Sequence, residues 1–72
     1  MPDTLGERLR AARRKKGLTQ QALADSLHIA RGSREISRYE TGETTPQDAR
    51  LVALAKALGV RPGWLRYGEG RR

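Results

Sequence analysis

Residues 18–43 read LTQQALADSLHIARGSREISRYETGE and carry the clearest structural signal in the chain. Thr19 is a typical N-cap for a first helix that contains two leucines one turn apart. The segment His28–Ser33 is predicted to be the connection, with Ser33 as the N-cap of a second helix that Gly42 ends. The stretch therefore predicts a helix-turn-helix, an arrangement that places its second helix in the major groove of DNA.

Start and stop signals on either side of this stretch predict three further helices. The predicted starts are a capping box of Thr4 and Glu7 with the helix beginning near Leu5, a capping threonine before proline at Thr45 and Pro46, and Pro62. The predicted ends are Gly17 and Gly59. Strand-like alternation is absent. The sequence predicts an all-α domain of five short helices around one core, in which helices two and three form the helix-turn-helix.

The length and composition bound the classes of protein that the chain can belong to. With 72 residues there is room for a single domain, with a core over about residues 4–67 and a flexible tail at 68–72. No cysteine and one histidine predict neither disulfides nor a metal site, and we expect no cofactor. The lack of a long apolar run predicts a soluble, cytoplasmic protein without a membrane partner. The sequence contains no nucleophile–base pair and no phosphate loop, so we do not expect an enzyme.

The chain is strongly basic, since 15 Lys and Arg against 8 Asp and Glu give a net charge of +7. The basic residues are concentrated at residues 8–16 and, within the helix-turn-helix, at Arg31, Arg34 and Arg38. The segment 47–60 carries far fewer of them. Clustered positive charge favours a polyanionic partner such as the DNA backbone, although a basic surface can also serve solubility alone.

Several short motifs, taken in order, resemble those of Cro/repressor-type helix-turn-helix domains, the family of lambda-like repressors and xenobiotic-response-element regulators. The resemblance covers about residues 5–65. The matching residues are Arg13, Gly17–Gln20, Leu23, Ala24, Leu27, Ile36–Glu40, Gly42, Pro46 and Ala55–Val60. The resemblance implies a compact five-helix lambda-repressor-like fold and sequence-specific binding to double-stranded DNA.

The connection inside the helix-turn-helix departs from the family pattern. His28 stands where family members usually have a glycine. The connection before Ile36 is also about two residues longer than usual, and two helical residues rotate a side chain by about 200° around the helix axis. Either the turn is longer or helix three starts earlier, which leaves open whether the side chains before Ile36 enter the groove.

Phosphate contacts and one architectural ion pair are expected outside helix three. The resemblance implies that Gln20, at the start of helix two, binds a phosphate, because a helix N-terminus favours an anion; an ordinary exposed glutamine is the alternative. Arg14 and Thr44 are the further phosphate candidates. Arg13 and Glu40 are similar to a family pair that joins helix one to the end of helix three, and a bidentate contact would fix the angle between those helices.

The predicted base contacts lie on helix three. Arg34, Ser37 and Arg38 have the spacing of one helix face, opposite Ile36 and close to the helix N-terminus. Arginine suits the O6/N7 edge of guanine, and serine matches either kind of base edge. Arg31 and Ser33, in the connection, are further candidates. For Arg38 the alternatives are a pair with an acidic neighbour or a contact with phosphate.

These features predict a transcriptional regulator, with a repressor that binds a palindromic operator as a homodimer as the main hypothesis. A two-fold dimer matches half-sites that lie about 34 Å apart on one face of the DNA. Val60, Trp64 and Leu65 are the predicted dimer patch, and packing of Trp64 on the core of one monomer is the alternative. The second hypothesis is a protein-interaction module whose partner is a toxin or a transcription component.

Overall fold

The chain forms five α-helices and no strand in the part that a computed structural model describes, residues 4–70. The helices are α1 (Leu5–Lys15), α2 (Gln20–Ser26), α3 (Ser33–Thr41), α4 (Asp48–Leu58) and α5 (Pro62–Tyr67). The all-α prediction is confirmed for these residues. Residues 1–3 and 71–72, which the single-domain and tail predictions include, lie outside the described part. None of the helices from α1 to α5 is long and apolar enough to span a membrane.

Three of the predicted helix starts are correct, and in two of them a side chain caps the helix. The Thr4 hydroxyl accepts a hydrogen bond from the Glu7 amide, and the Glu7 carboxylate accepts one from the Thr4 amide, which completes the capping box of α1. The Thr19 hydroxyl accepts from the Ala22 amide and caps α2. Pro62 begins α5 as predicted.

Two other predicted caps are wrong. Ser33 is the first residue of α3, and Gly32 is the N-cap, with φ 64° and ψ −144°, a conformation that a side chain strongly disfavours. Helix α4 begins at Asp48 with Gln47 as its N-cap, whereas Thr45 and Pro46 precede it in the loop. Pro46 is buried there, so this proline packs against the body of the domain instead of starting the helix.

Each helix contributes one large, completely buried side chain to the core. These side chains are Leu9, Leu23, Ile36, Leu54 and Leu65. Helix α3 packs against both α1 and α2, while α5 closes the bundle against α1 and α4. Burial of these apolar surfaces is the main force that holds helices of 6 to 11 residues, which are too short to be stable alone.

Gly6 permits the closest approach between α1 and α3. A Cβ atom at this position would lie 2.6 Å from the carbonyl oxygen of Tyr39 and 2.9 Å from the carbonyl carbon of Glu40. No side chain fits against main-chain atoms at such distances. The absence of a Cβ at Gly6 therefore sets how closely α1 crosses the C-terminal end of α3.

Arg8 is a buried arginine that the sequence analysis did not identify. Its Nε donates to the carbonyl oxygen of Leu65 at 3.0 Å, and its Nη2 donates to that of Arg66 at 2.8 Å. These carbonyls belong to the last turn of α5, where no intrahelical donor is available. The side chain also lies against Gly68, the C-cap of α5, whose amide donates to the Trp64 carbonyl. Gly68 thus ends α5 as its C-cap, at the residue where the predicted tail begins.

Candidate nucleic-acid interface

Four of the five predicted base-reading residues share one concave surface. Arg31 from the α2–α3 connection lines it with Arg34, Ser37 and Arg38 from α3, and Glu43 from the following loop completes it. Arg34 and Ser37 are one turn apart, so their side chains lie one above the other along the exposed face of the helix. The surface is mainly cationic, which suits contact with the phosphate backbone of DNA.

Ser33 is the predicted base contact that this surface does not include. It is half-buried, and its amide lies 3.4 Å from Oε1 of Gln21, which accepts its hydrogen bond. The Gln21 amide nitrogen is itself held by Asp25 at 2.8 Å, so the side chain is fixed between α2 and the start of α3. Gln21 has no sequence signature, since its role depends on a contact with a residue 12 positions away.

The connection between the two helices uses a left-handed residue. His28 has φ 55°, the left-handed region that favours glycine. A glycine would adopt this conformation without strain, which accounts for the usual glycine of the family, whereas His28 adopts it at a cost. The connection occupies residues 27–32, so Arg31 precedes the helix and Arg34 lies in its first turn.

Arg38 forms an ion pair with Glu43. The contact joins Nε of Arg38 to Oε2 of Glu43, and the two side chains are 33% and 61% exposed. Gly42, in the left-handed conformation with φ 82°, turns the chain back so that the amide of Glu43 donates to the Arg38 carbonyl at 3.0 Å. In the free protein, then, Arg38 pairs with an acidic neighbour, the first of the alternatives that the sequence left open for it.

Glu40 is the centre of a polar network that fixes α3 against α1 and α2. Its carboxylate accepts from Nε of Arg13 at 2.6 Å and from Nη2 at 3.1 Å, which is the bidentate geometry. Nη1 of Arg13 donates to the Leu18 carbonyl at 2.8 Å, and the Gln20 amide donates to Glu40 at 3.2 Å. The Arg13 and Glu40 side chains are only 10% and 4% exposed. The structure thus forms the pair that the resemblance implies and adds Gln20 to it.

Tyr39 belongs to the core side of α3. Its hydroxyl accepts from Nη1 of Arg50 at 3.3 Å. Burial raises the pKa of Tyr39 above its usual value and a hydrogen bond with Glu35 adds to the rise, while the positive charge of Arg50 opposes it. The phenol is therefore neutral at physiological pH, and it lies behind the cationic surface without contributing to it.

The three predicted phosphate contacts differ in accessibility. Arg14 is exposed in the last turn of α1, and Gln20 is half-buried with its amide already bonded to Glu40. The hydroxyl oxygen of Thr44 is buried, and the Thr44 amide donates to the Arg38 carbonyl at 3.3 Å. A phosphate contact by Thr44 therefore stays a prediction, and it requires the buried hydroxyl or the bonded amide to become accessible.

The predicted dimer patch is largely part of the core. Leu65 is 0% exposed and Trp64 is 8% exposed, while Val60 is half-buried against the core cluster. The prediction is wrong for Leu65, since α5 directs this side chain inward to close the bundle. Trp64 packs on the core of the monomer, which was the alternative for this residue.

Comparison with known proteins identifies the family. A family model described as helix-turn-helix matches residues 9–65, so the chain belongs to this helix-turn-helix family. The HTH-type transcriptional regulator DicA of Escherichia coli K12 is 38% identical over 66 residues, which cover 92% of this chain and 47% of DicA. Repressor protein C2 of Salmonella phage P22 is 38% identical over 65 residues, which cover 90% of this chain and 29% of C2.

Solved structures of a relative confirm the lambda-repressor-like fold. The crystal structure of the P22 c2 repressor in complex with synthetic operator 9T in the presence of Tl⁺ superposes with a TM-score of 0.84 at 38% identity, over 92% of this chain and 97% of that chain. The solution structure of the DNA-binding domain of the same repressor gives a TM-score of 0.81 at 37% identity, over 90% of this chain and 83% of that chain. The chain spans about half or less of the length of the two curated relatives, 47% and 29%.

Proposed function

We propose that the chain is a sequence-specific double-stranded DNA-binding regulator of transcription, and that it acts as a repressor. The observation that carries the proposal is the concave surface on which Arg31, Arg34, Ser37 and Arg38 meet along the exposed face of α3. Three arginines supply the positive charge that attracts the phosphate backbone, and arginine and serine supply donors and an acceptor for base edges. The proposal assigns the chain no catalytic activity.

Similarity to named relatives supports the same function. The P22 c2 protein binds a synthetic operator in its crystal structure, and DicA is named as a transcriptional regulator. The superposition with the operator complex covers 92% of this chain, so the helix pair of this chain has a counterpart in a domain that holds DNA. We extend operator binding from that relative to this chain, and we place the protein with its DNA in the cytoplasm.

In this proposal α2 positions the DNA backbone and α3 reads the bases. Gln20 lies at the N-terminus of α2, and Glu40 holds one hydrogen of its amide nitrogen, which leaves the second hydrogen available for a phosphate oxygen. The exposed Arg14 is a second phosphate contact. Arg34, Ser37 and Arg38 enter the major groove, with Arg31 at the edge of the same surface.

We further propose that the protein binds a palindromic operator as a homodimer. One short recognition helix contacts only a few base pairs, which gives little discrimination against the competing sites of a genome. Two copies related by a two-fold axis double the number of base pairs that are read, and half-sites one helical turn apart, about 34 Å, place both helices on the same DNA face.

Replacing Arg38 by alanine is expected to weaken binding to the preferred site. The preferred site is first obtained by selection from a random duplex library with the wild-type protein, and dissociation constants are then measured by fluorescence anisotropy. Loss of a bidentate arginine–guanine contact costs about 1–3 kcal/mol and relaxes discrimination at one base pair. We therefore expect the Arg38→Ala protein to bind the preferred site roughly 5- to 150-fold more weakly.

Lys56→Ala is the matched control, because it also removes one positive charge and Lys56 is an exposed residue of α4 away from the concave surface. The control should weaken preferred and random duplexes by similar, small factors. Enrichment of no motif by the wild-type protein would contradict sequence-specific regulation and leave only electrostatic binding. If Arg38→Ala and Lys56→Ala weakened binding to the preferred site equally, Arg38 would not be a base contact.

A further inference from the structure

Glu43 is the acidic member of an otherwise cationic and neutral surface. The other residues that line it are Arg31, Arg34, Ser37 and Arg38. If this surface binds DNA as proposed, a carboxylate on it adds a negative charge beside the negative duplex, and like charges brought together oppose binding. Its presence calls for a physical explanation, since a surface selected only for DNA affinity would carry no negative charge there.

The backbone holds Glu43 in a fixed position beside Arg38. The chain reverses at Gly42, after which the amides of Glu43 and Thr44 both donate to the Arg38 carbonyl, at 3.0 and 3.3 Å. The hydroxyl of Thr41 lies 3.3 Å from the same oxygen and donates to it as well. Glu43 is thus anchored through its main chain to the residue with which its side chain pairs.

The ion pair uses one edge of the Arg38 guanidinium. The closest approach of the Glu43 carboxylate is to Nε, whose N–H makes no hydrogen bond within the described residues. Those terminal nitrogens are a fork that matches the two acceptors O6 and N7 of guanine. The ion pair therefore restrains the guanidinium by charge attraction centred on Nε, whereas the base would be read by the terminal nitrogens.

We propose that Glu43 is a specificity-determining residue, which orients Arg38 toward a base edge and disfavours the contact of Arg38 with phosphate. This inference rests on the proposed function. Discrimination between partners is commonly achieved with a repulsive element against the wrong partner as well as an attractive one for the right partner. On random DNA the carboxylate competes with phosphate for Arg38 and repels the backbone, whereas at the preferred site Arg38 keeps Glu43 and gains the guanine.

The test compares affinities for the preferred site and for a random duplex. Four variants are measured beside the wild-type protein: Glu43→Gln, Glu69→Gln, Arg38→Ala and the double variant Arg38→Ala/Glu43→Gln. Glu69→Gln is the matched control, because it removes the same charge from an exposed residue beyond α5. Thermal denaturation followed by circular dichroism establishes that each variant is folded.

We expect Glu43→Gln to tighten binding to random DNA about fivefold more than Glu69→Gln does, the upper range for an exposed ion pair. Because the preferred site gains less, the ratio of the two dissociation constants should fall by up to about fivefold. Discrimination at the base pair that Arg38 reads should fall with it. In the Arg38→Ala background, Glu43→Gln should change the ratio of the two dissociation constants only as much as the loss of one negative charge does in the Glu69→Gln control.

Two results would overturn the inference alone while the proposed function stands. One is that the wild-type protein selects a motif but Glu43→Gln shifts both affinities in parallel, as Glu69→Gln does. The other is that the change in ratio persists when Arg38 is alanine. If the wild-type protein selects no motif, the proposed function fails, and the inference fails with it.

Discussion

Gly6→Ala is expected to lower the free energy of unfolding by about 3 kcal/mol, the upper end of the cost of overpacking a core. The added Cβ would meet main-chain atoms of Tyr39 and Glu40, and it would lie 2.6 Å from the carbonyl oxygen of Tyr39. Main-chain atoms in a helix cannot move aside as the end of a flexible side chain can, so α1 must shift away from α3. In a domain of this size, such a loss lowers the melting temperature by roughly 12–24 °C. Urea denaturation followed by circular dichroism measures the free energy.

The control for this prediction is Gly63→Ala in α5. A Cβ at Gly63 meets nothing within 4 Å, and the residue lies inside a helix, where alanine is the better residue. This variant is expected to be more stable than the wild-type protein by about 0.5–1 kcal/mol. Similar losses for the two variants would show that the close approach at Gly6 does not determine the packing of α1 on α3.

Glu40→Ala is the second change with a large expected effect, a loss of about 3 kcal/mol in the free energy of unfolding. Arg13 would keep its positive charge in a place where its side chain is only 10% exposed, and Gln20 would lose its acceptor. Removing one partner of a buried pair leaves a charge that neither water nor protein compensates. Chemical denaturation measures the loss, and the same protein should bind the preferred DNA site more weakly because α3 is no longer held at a fixed angle.

Two comparisons make this prediction specific to the buried pair. Asp48→Ala breaks the exposed contact of Asp48 with Arg66, where Asp48 is 94% exposed, and should have a much smaller effect. The double variant Arg13→Met/Glu40→Leu removes both charges and should be more stable than Glu40→Ala. An effect of Glu40→Ala no larger than that of Asp48→Ala would show that solvent already compensates Arg13.

The features that the sequence predicted correctly depend on neighbouring residues. The capping box of Thr4 and Glu7 and the cap at Thr19 involve residues three positions apart, so their geometry follows from the helix itself. The common face of Arg34, Ser37 and Arg38 follows in the same way from helical periodicity. These local rules were enough to predict the helix-turn-helix and the helix face that Arg34, Ser37 and Arg38 share.

The features that the sequence did not predict depend on tertiary contacts. Ser33 was expected to cap α3, but Gly32 takes that position, and the Ser33 amide bonds to Gln21 of the preceding helix. Leu65 was assigned to an exposed patch because its helix is too short to show a face by periodicity, and packing on α1 and α4 decides its direction. Arg8 was treated as one of many surface cations, because arginine is seldom buried without a partner that can be seen in the sequence.

The bond between Arg8 and the end of α5 has a consequence for how the protein is made on the ribosome. Arg8 is synthesised early, and its acceptors at Leu65 and Arg66 are 57 and 58 residues further along the chain. At ordinary rates of synthesis, those acceptors follow Arg8 by about 3–11 s. During this interval α1 cannot pack against α5, and the Arg8 guanidinium stays in water. The native core therefore forms only after α5 leaves the exit tunnel. Nascent chains stalled before that point are therefore expected to be cut rapidly by proteases, and chains released beyond it are expected to resist.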